Sequence, residues 1–373
     1  MKKQLSSLDL HYLVKELKIL EDSRIDKIYQ PEKETLIFSF HKTNFGKKLL
    51  RIDIGKAIYI LEEKEAYEEI LGFGQFLRKH LDGHFLTDIE QIEPERIIKL
   101  TFKTKVSTKY LYIEFIGKGN SIFCNEHDVI VNALEQHDYS ARSIRPKLKY
   151  VYPIMSYNLF DLKKEDLINL FKNSKKDSLV TCLATELGLG GLYSEEICLL
   201  SNIDKKINPK NINENQIQSI LNSIRKIINQ KTNSYIIFDE NDNIIDVIPF
   251  DFKHYETKKY KKQKFELFND AIKYFYSQFK ELKETEFDKR LRNLQRIIEQ
   301  QKQTIEQLRK EGYELRQKGE VIYHNYNLIK EVLEEINKAS KKYSWKEIKE
   351  KLKGHKIIKE VNEKERKVMV EIE

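Results

Sequence analysis

Cationic side chains lie close together at two places in the first half of the sequence, and both groups could bind a polyanion. The members of the two groups are Arg78, Lys79, Arg142, Arg145, Lys147 and Lys149. Arginine pairs with a phosphate through two parallel hydrogen bonds, whereas lysine supplies a compact point charge. These residues therefore predict sequence-independent attraction to an RNA backbone.

An acidic and a basic residue, Glu95 and Arg96, stand together where a strand is predicted to start. A carboxylate can hold an arginine fork in place for a phosphate or for the edge of a base. The alternative is an ordinary surface ion pair, worth under ~1 kcal/mol. Four tyrosines could stack on bases, or could pack within the strands instead: they are Tyr110, Tyr112, Tyr150 and Tyr152.

A glycine-rich turn with Gly188, Gly190 and Gly191 separates two helical stretches. Ser194 could cap the second helix and place two glutamates in its first turn. Such a turn is typical of a helix-hairpin-helix, whose exposed backbone N–H groups can hold a phosphate. The alternative is a plain corner between two helices, since glycine is needed for the turn in either case.

The three cysteines, Cys124, Cys182 and Cys198, lie far apart and form no CxxC pair. This spacing favours neither a zinc site nor a disulfide framework, and it is typical of small buried residues in a reducing compartment. No apolar run approaches the ~18 residues of a membrane span. The N-terminus reads as an amphipathic helix instead of a signal peptide. We expect a cytoplasmic chain with no cofactor and no membrane partner.

The composition sets wide limits on function. Lys plus Arg number 67 and Asp plus Glu number 59, which gives a net charge of +8. This excess permits nucleic-acid binding without requiring it. A chain of 373 residues exceeds what one core usually holds, and its 34% of charged residues indicates long solvated helices.

The elements that position these residues follow from periodicity. A helix from about Leu8 to Leu20 precedes short strands in 34–62, a helix at Tyr67–Leu81, and strands at 97–102 and 109–117. The fold class is therefore α+β at the start. A helical region, a β-hairpin about Asn241–Asn243 and a basic linker follow. The predicted domains are 1–153, 154–232, 233–262, 263–340 and 341–373.

Apolar residues from 287 to 336 recur at steps of three and four, which predicts a coiled coil. The helix would be about 75 Å long at 1.5 Å per residue. A short helix at Lys346–Leu352 and a small β-hairpin about Asn362–Arg366 come after it. An unpaired apolar seam of this length is hard to keep soluble, so we expect a second arm beyond this sequence.

Seven motifs, taken together in their order along the chain, resemble those of the NFACT family. This family includes eukaryotic NEMF, bacterial RqcH and proteins once called fibronectin-binding protein A. The similarity covers nearly the whole chain, and no single motif decides it. The motifs are SSLDLHYLVKEL (6–17), FGQFLRKHLDG (73–83), ERIIKLTF (95–102), EFIGKGNSIFCNE (114–126), RSIRPKLKYVYP (142–153), LGLGGLYSEEIC (187–198) and FELFNDAIKYFY (265–276).

The resemblance implies an architecture. An N-terminal domain related to that of formamidopyrimidine-DNA glycosylase comes first, then a helix-hairpin-helix domain, then an antiparallel coiled-coil arm with a small β tip, and last an RNA-binding domain. The return helix and the last domain have no counterpart in this sequence. We expect either a fragment or a protein that a second chain completes.

The resemblance also implies function and site residues. Family members bind the large ribosomal subunit carrying a stalled nascent chain, and they recruit aminoacyl-tRNA to extend that chain without mRNA; they are not catalysts. Asp9, Arg96 and the basic residues about Arg145 match the family's tRNA-contacting positions, and we expect them on one face. Two departures are Glu95, where the family has Asp, and Lys147, where it has Gly.

Three other functions fit parts of the sequence. A DNA glycosylase would share the fold, but such enzymes begin with a proline nucleophile followed by a glutamate, where this chain has Lys2 and Lys3. They also use a zinc finger that three scattered cysteines do not supply. A surface adhesin would need an export signal. A purely structural coiled-coil scaffold would not depend on the cations of the first domain.

Overall fold

The computed structural model describes residues 2–43, 46–62, 71–139, 142–153, 156–256, 260–278 and 286–371. The chain divides into two compact units, Met1–Leu282 and Lys283–Glu373. None of the helices in these ranges combines the length and apolar character that a membrane crossing needs. Within the same ranges, no group of three or more His, Cys, Asp or Glu side chains could hold a metal ion.

The first unit is built on a nine-stranded antiparallel sheet. Its strands are β1 Ser23–Glu32, β2 Thr35–Lys42, β3 Gly46–Asp53, β4 Ala57–Leu61, β5 Phe85–Gln91, β6 Ile97–Lys103, β7 Thr108–Glu114, β8 Asn120–Asn125 and β9 Ile130–Ala133, and a separate pair consists of β10 His137–Asp138 and β11 Ser143–Ile144. The order in the large sheet is β4-β3-β2-β1-β5-β6-β7-β8-β9. The predicted strands β2, β3, β4, β6 and β7 are confirmed, whereas β1, β5, β8 and β9 were not expected; polar residues interrupt the alternation of β1 and β5.

Helices cover one face of this sheet. Helix α1 (Ser7–Leu17) begins at a capping box between Ser6 and Asp9, and it continues as a 3₁₀ turn to Leu20, as its spacing predicts. Helix α2 is Gly72–Leu81; the predicted start at Tyr67 lies outside the described residues. The main core lies under these helices, and a smaller apolar cluster lies on the opposite face of the sheet.

Four further helices form the helical region that the sequence predicts: α3 Lys164–Asn173, α4 Leu179–Thr185, α5 Gly191–Leu200 and α6 Glu214–Ile228. The glycine turn connects α4 to α5. The expected cap at Ser194 is wrong: α5 begins at Gly191, and the Ser194 hydroxyl donates to the Gly190 carbonyl from inside the helix. The positive φ of Gly190 lets the chain enter the helix earlier than a serine cap would.

A second, three-stranded antiparallel sheet consists of β12 Ser234–Phe238, β13 Ile244–Ile248 and β14 Lys261–Phe265, in the order β13-β12-β14. The predicted hairpin is confirmed. The predicted basic linker is wrong in its second half, because Lys261–Phe265 form an edge strand that pairs with β12. Helix α7 (Phe268–Ser277) packs in this first unit, so the predicted boundary of the arm at residue 263 is too early.

The second unit has two long helices, α8 Glu286–His324 and α9 Tyr326–Ser340, then α10 Trp345–Lys351 and a hairpin of β15 Ile358–Asn362 and β16 Lys367–Val370. The predicted single helix is interrupted at Asn325. Seam residues of α8 such as Leu308 and Leu315 are more than half exposed. The seam of α9 differs, because Ile329 and Ile336 line one cavity with Ile357 and Val368. The downstream hairpin therefore covers part of the seam.

Candidate nucleic-acid interface

The basic loop, residues 142–149, is fixed along the edge of the large sheet by backbone hydrogen bonds. Ile130 N–H donates to the Leu148 carbonyl at 2.8 Å, and Lys147 N–H donates to the Ile130 carbonyl at 2.8 Å. Arg145, Lys147 and Lys149 are exposed. Since the backbone beneath them is paired with β9, these cations are presented from a defined strand edge.

Lys147 has the left-handed backbone conformation, with φ at +72°. This region disfavours any residue with a Cβ and suits glycine, which the family resemblance places here. Among the described residues neither Lys147 nor Lys149 forms an ion pair. The loop thus holds an unpaired lysine in a strained backbone position, an arrangement often found at binding sites.

Arg145 is exposed but paired. Its Nε donates to both Asp138 oxygens at 2.8 and 3.0 Å, and its Nη2 also contacts Asp138. The hydrogen bonds from Arg145 hold the pKa of Asp138 at about 2. Because both side chains are open to solvent, the pair is screened by water and can open to accept a phosphate.

Arg142 is a structural residue and not a free cation. Its two terminal nitrogens donate to the two oxygens of Glu114 at 2.6 and 2.9 Å, and Tyr150 donates to the same carboxylate at 2.7 Å. The Arg142 side chain is 11% exposed and that of Glu114 is 2% exposed. The expected direct contact of Arg142 with RNA is therefore not open in this structure. The pair instead anchors the loop to β7.

Two of the aromatic rings beside the loop are accessible for stacking. Tyr112 and Tyr150 are buried, which confirms packing for these two, whereas Tyr152 is 39% exposed. The structure adds Tyr139, which is 45% exposed and lies under the Arg142 guanidinium at 5.2 Å. No sequence pattern indicated Tyr139, since its position beside the loop depends on the pairing of β10 with β11.

Arg96 lies apart from the basic loop. Its Nη1 donates to Gln4 Oε1 at 3.3 Å, and its side chain is half-buried. Neighbouring Glu95 is only 7% exposed and its carbonyl accepts from Gln91 at 3.0 Å. The Glu95 carboxylate is thus buried beside the Arg96 guanidinium. The two residues do not form the exposed surface ion pair that was the alternative interpretation.

Strand alternation puts the two groups on opposite faces of the sheet. Ile97 packs with Tyr150 in the smaller cluster, whereas Ile98 packs in the main core. Arg96 directly precedes β6, and its carbonyl still accepts from Phe115 N–H at 2.8 Å, so the pairing extends to this residue. Since successive residues of a paired strand point to opposite faces, Arg96 points to the side of Ile98. The expectation that Arg96 and the basic loop share one face is therefore wrong.

Asp9 is fully buried. Its carboxylate accepts from Lys2 Nζ at 3.0 Å, from Ser6 N–H and hydroxyl at 2.8 Å, and from the Tyr193 hydroxyl at 2.9 Å. A direct contact between Asp9 and RNA would require this network to open. The sequence could not show this, because Tyr193 arrives from a distant helix.

Lys2 joins two buried carboxylates. Its ammonium lies 3.0 Å from Asp9 and 3.4 Å from Asp246, and it donates to the Val247 carbonyl at 2.7 Å. Burial lowers the pKa of Lys2, but the two carboxylates outweigh burial and leave that pKa raised. The ammonium therefore stays protonated, and it ties the N-terminus to the second sheet.

The second cationic group lies on α2. Arg78 Nε donates to the Ile28 carbonyl at 2.6 Å, and its guanidinium lies 5.5 Å from the centre of the Tyr29 ring. Lys79 is exposed. Both line a shallow groove of about 510 Å³ that Asp26 also lines, so its charge is mixed.

The glycine turn offers fewer free amides than the sequence predicts. Leu189 N–H donates to the Leu183 carbonyl at 3.3 Å, and Gly190 N–H donates to the Ala184 carbonyl at 3.2 Å. These two bonds close the end of α4. Amides for a phosphate would have to come from the first turn of α5, beginning at Gly191.

A large antiparallel sheet under a helical layer, with a backbone-fixed cationic loop at its edge, defines a mixed α+β protein. The family model described as NFACT N-terminal and middle domains matches residues 6–368. The chain therefore belongs to the NFACT family.

Named relatives agree with this assignment. The chain is 31% identical to the archaeal Rqc2 homolog aRqcH of Methanocaldococcus jannaschii, over 97% of this chain and 57% of that protein. It is 23% identical to the human ribosome quality control complex subunit NEMF, over 93% of this chain and 35% of that protein. The chain thus spans just over half the archaeal relative and about a third of the human one.

Two solved structures share the fold. The N-terminal part of the fibronectin/fibrinogen-binding protein of Streptococcus suis superposes with a TM-score of 0.58 at 20% identity, over 74% of this chain and all of that one. The fibrinogen binding protein of Staphylococcus aureus superposes with a TM-score of 0.59 at 17% identity, over 73% and 98%. At this identity the likeness supports the mixed α+β fold alone.

Proposed function

We propose that this chain acts in ribosome-associated quality control. It binds the large ribosomal subunit carrying a stalled nascent chain, and it recruits aminoacyl-tRNA for tailing without mRNA. The observation that carries the proposal is the exposed, backbone-fixed loop with Arg145, Lys147 and Lys149. The chain's named relatives, which include an archaeal Rqc2 homolog and the human ribosome quality control complex subunit NEMF, support it.

The RNA contacts divide between two faces of the large sheet. On one face the three exposed cations of the basic loop neutralise phosphates, while Tyr139 and Tyr152 offer rings to unpaired bases. On the other face Arg96 makes a separate contact, with Glu95 beside it. Two further contacts with the RNA backbone complete the proposed set. They are the groove with Arg78 and Lys79, and the glycine turn at Gly188 and Gly191, whereas the Gly190 amide already donates to Ala184.

Finer features of the fold belong to the same proposal. We assign the large sheet a relationship to the N-terminal domain of formamidopyrimidine-DNA glycosylase, and α4 and α5 a helix-hairpin-helix role. The exposed seam of α8 supports a partner helix, from a second chain or from further sequence. The protein works in the cytoplasm, where its ribosomal partners are.

We propose that the chain itself is not a catalyst. The position nearest to the nucleophile of a glycosylase is Lys2, and its protonated ammonium is enclosed by Asp9 and Asp246. A protonated amine has no lone pair for attack on a sugar. Incubation with an oxidised-base duplex and borohydride should trap no covalent adduct, and a trapped adduct would restore the enzyme hypothesis.

Arg96→Ala tests the tRNA contact. Losing one arginine contact of about 1–3 kcal/mol should weaken binding of a deacylated tRNA mixture about tenfold, with subunit binding largely intact. The matched control is Arg225→Ala, which removes the same charge from an exposed site near the end of α6. Unchanged tRNA affinity in Arg96→Ala would remove Arg96 from the site.

RNA that co-purifies with the chain from cells tests the function as a whole. Sequencing should find large-subunit rRNA with one or a few tRNAs. Enrichment of neither would refute the proposal. A triple change of Arg145, Lys147 and Lys149 to Ser should abolish that enrichment, because the exposed cations of the loop are lost together.

A further inference from the structure

The N-terminal segment, Lys2–Ser6, is held at several points by distant parts of the first unit. Lys2 N–H donates to the Ile245 carbonyl at 3.1 Å, and Leu5 N–H donates to the Lys56 carbonyl at 3.0 Å. At the end of the segment, Ser6 donates through N–H and hydroxyl to Asp9. The segment is thus fixed on both sides of Gln4.

Gln4 uses both ends of its amide. Its Oε1 accepts from Arg96 Nη1 at 3.3 Å, and its Nε2 donates to the Gly117 carbonyl at 2.6 Å. The opposite amide orientation would place NH₂ against a guanidinium and oxygen against a carbonyl, so the two partners determine the orientation. The amide therefore links Arg96 to the turn that follows β7.

The bond to Gln4 is the only hydrogen bond of the Arg96 side chain among the described residues. An arginine side chain loses rotamer entropy when it is immobilised on a ligand. A partner that already limits its rotamers reduces that loss. Gln4 supplies this restriction from a segment that is itself fixed.

We propose that Gln4 is a positioning residue for Arg96, and that Asp9 and Lys2 influence RNA binding through Gln4 by holding the N-terminal segment. The proposal rests on the proposed function, since it assumes that Arg96 contacts RNA. It gives a fully buried carboxylate at position 9 a route to affect an RNA that it does not touch. Neither Gln4 nor Lys2 needs to touch the RNA.

A double-mutant cycle tests the proposal, with Gln4→Met and Arg96→Ala measured alone and together on a deacylated tRNA mixture. Gln4→Met preserves the length of the side chain and removes both hydrogen bonds. It should weaken tRNA binding about threefold to tenfold in the wild-type background. In the Arg96→Ala background it should have no further effect, because the group that it positions is gone.

Controls separate positioning from general damage. Gln218→Met, on an exposed site of α6, should leave binding unchanged. Gln4→Asn, whose amide is one methylene too short to reach both partners, should match Gln4→Met, and it provides a second test if the methionine variant folds poorly. Asp9→Asn should weaken binding in the wild-type background and add nothing in the Gln4→Met background.

Failure of the proposed function and failure of the positioning role of Gln4 give different results. If Arg96→Ala binds tRNA like the wild type, the proposed function loses this contact and the cycle has no basis. If Arg96→Ala weakens binding but Gln4→Met either leaves it unchanged or weakens it equally in both backgrounds, the positioning role of Gln4 is overturned. A further loss from Asp9→Asn in the Gln4→Met background would show that Asp9 acts by another route.

Discussion

Lys147 combines an exposed cationic side chain with an unfavourable backbone conformation. Its φ of +72° lies in the left-handed region, which costs a residue with a Cβ about 1–2 kcal/mol relative to the right-handed helix. A glycine would relieve that cost but would also remove an exposed cation from the loop. The position thus sets an exposed charge against local backbone stability, and a substitution can separate the two.

Lys147→Gly should stabilise the protein and weaken RNA binding. We expect the free energy of unfolding to rise by about 0.5–1 kcal/mol in urea titrations. The affinity for a deacylated tRNA mixture should fall, and the slope of log affinity against log salt should become shallower by about 0.9. Asn202→Gly is the matched control, because Asn202 is exposed at φ +55° and carries no charge. A steeper salt slope in Lys147→Gly would contradict the prediction.

His11 should make stability depend on pH. Its ring stacks on Phe160 at 4.7 Å, and burial, with the charge of Lys15 as a second cause, lowers its pKa to about 4. Glu93 is the acidic group that faces the ring, 4.0 Å from Nδ1. His11 is therefore harder to protonate in the folded state than in the unfolded state, where its pKa has the ordinary value of 6.5.

The direction of the pH dependence follows from the difference in the pKa of His11 between the folded and unfolded states. The unfolded chain binds more protons between pH 6.5 and 4, so the stability from neutral His11 is complete above pH 6.5 and is lost as pH falls toward 4. Urea titrations should show a loss of roughly 1 kcal/mol from pH 6.5 to 5.5 that His11→Phe removes. His127→Gln, at an exposed histidine, should keep the wild-type dependence. Equal slopes for the wild type and His11→Phe would refute the assignment.

At the residue scale the sequence located the cations but not their burial. Arg142, Arg145 and Lys149 look alike in the sequence, yet one is enclosed by Glu114, one is paired in solvent and one is free of ion pairs among the described residues. Those differences arise from pairing between strands that are distant along the chain. Gln4 was missed for the same reason, since its partners are Arg96 and Gly117.

At the scale of elements, a carboxylate from α1 starts a helix near the other end of the first unit. Glu16 Oε1 accepts from Phe268 N–H at 2.9 Å, and Oε2 accepts from Asn269 N–H at 2.7 Å. These are the first residues of α7, whose amides have no partner within the helix. Burial raises the pKa of Glu16, and the two amide bonds oppose that rise.

Glu16→Ala should destabilise the first unit by about 1–3 kcal/mol, because two buried backbone donors lose their acceptor. Calorimetry of the full chain would measure the fall in unfolding midpoint. Glu214→Ala is the matched control: Glu214 lies in the first turn of α6 and is exposed, so its loss should change little. Equal effects of the two changes would mean that Glu16 is not a cap.

Periodicity predicted the elements well wherever one face of an element is buried. Strands β2 and β3 alternate or run apolar and were located closely, and α1 follows from its spaced leucines. Strand β14 was misassigned because its lysines also fit a solvated linker, and only its pairing with β12 makes it a strand. The break at Asn325 leaves the apolar spacing intact, so spacing could not reveal it.

At the scale of the whole first unit, the large sheet curves until two of its turns meet. Gly55, in the turn between β3 and β4, packs against the backbone of Lys118 and Gly119, in the turn between β7 and β8. A Cβ on Gly55 would overlap the Lys118 carbonyl oxygen. These strands are far apart in the sheet order, so the contact closes the sheet at that end.

Gly55→Ala should therefore cost more stability than its backbone conformation alone explains. Gly46→Ala is the matched control, because Gly46 has φ +70° against +74° for Gly55 and has open space around a Cβ. We expect about 1 kcal/mol for Gly46→Ala and at least 2 kcal/mol more for Gly55→Ala, in urea titrations. Similar losses would show that the two turns separate easily.

The same contact has a consequence for genetics. Leu5 donates to Lys56 and Gln4 donates to Gly117, so the two turns that meet at Gly55 also hold the segment beside Arg96. A methyl group at position 55 would move that segment without altering any charge on the surface. Under the proposed function, selection for weakened ribosome quality control should therefore recover alanine or serine at this glycine alongside changes at Arg96.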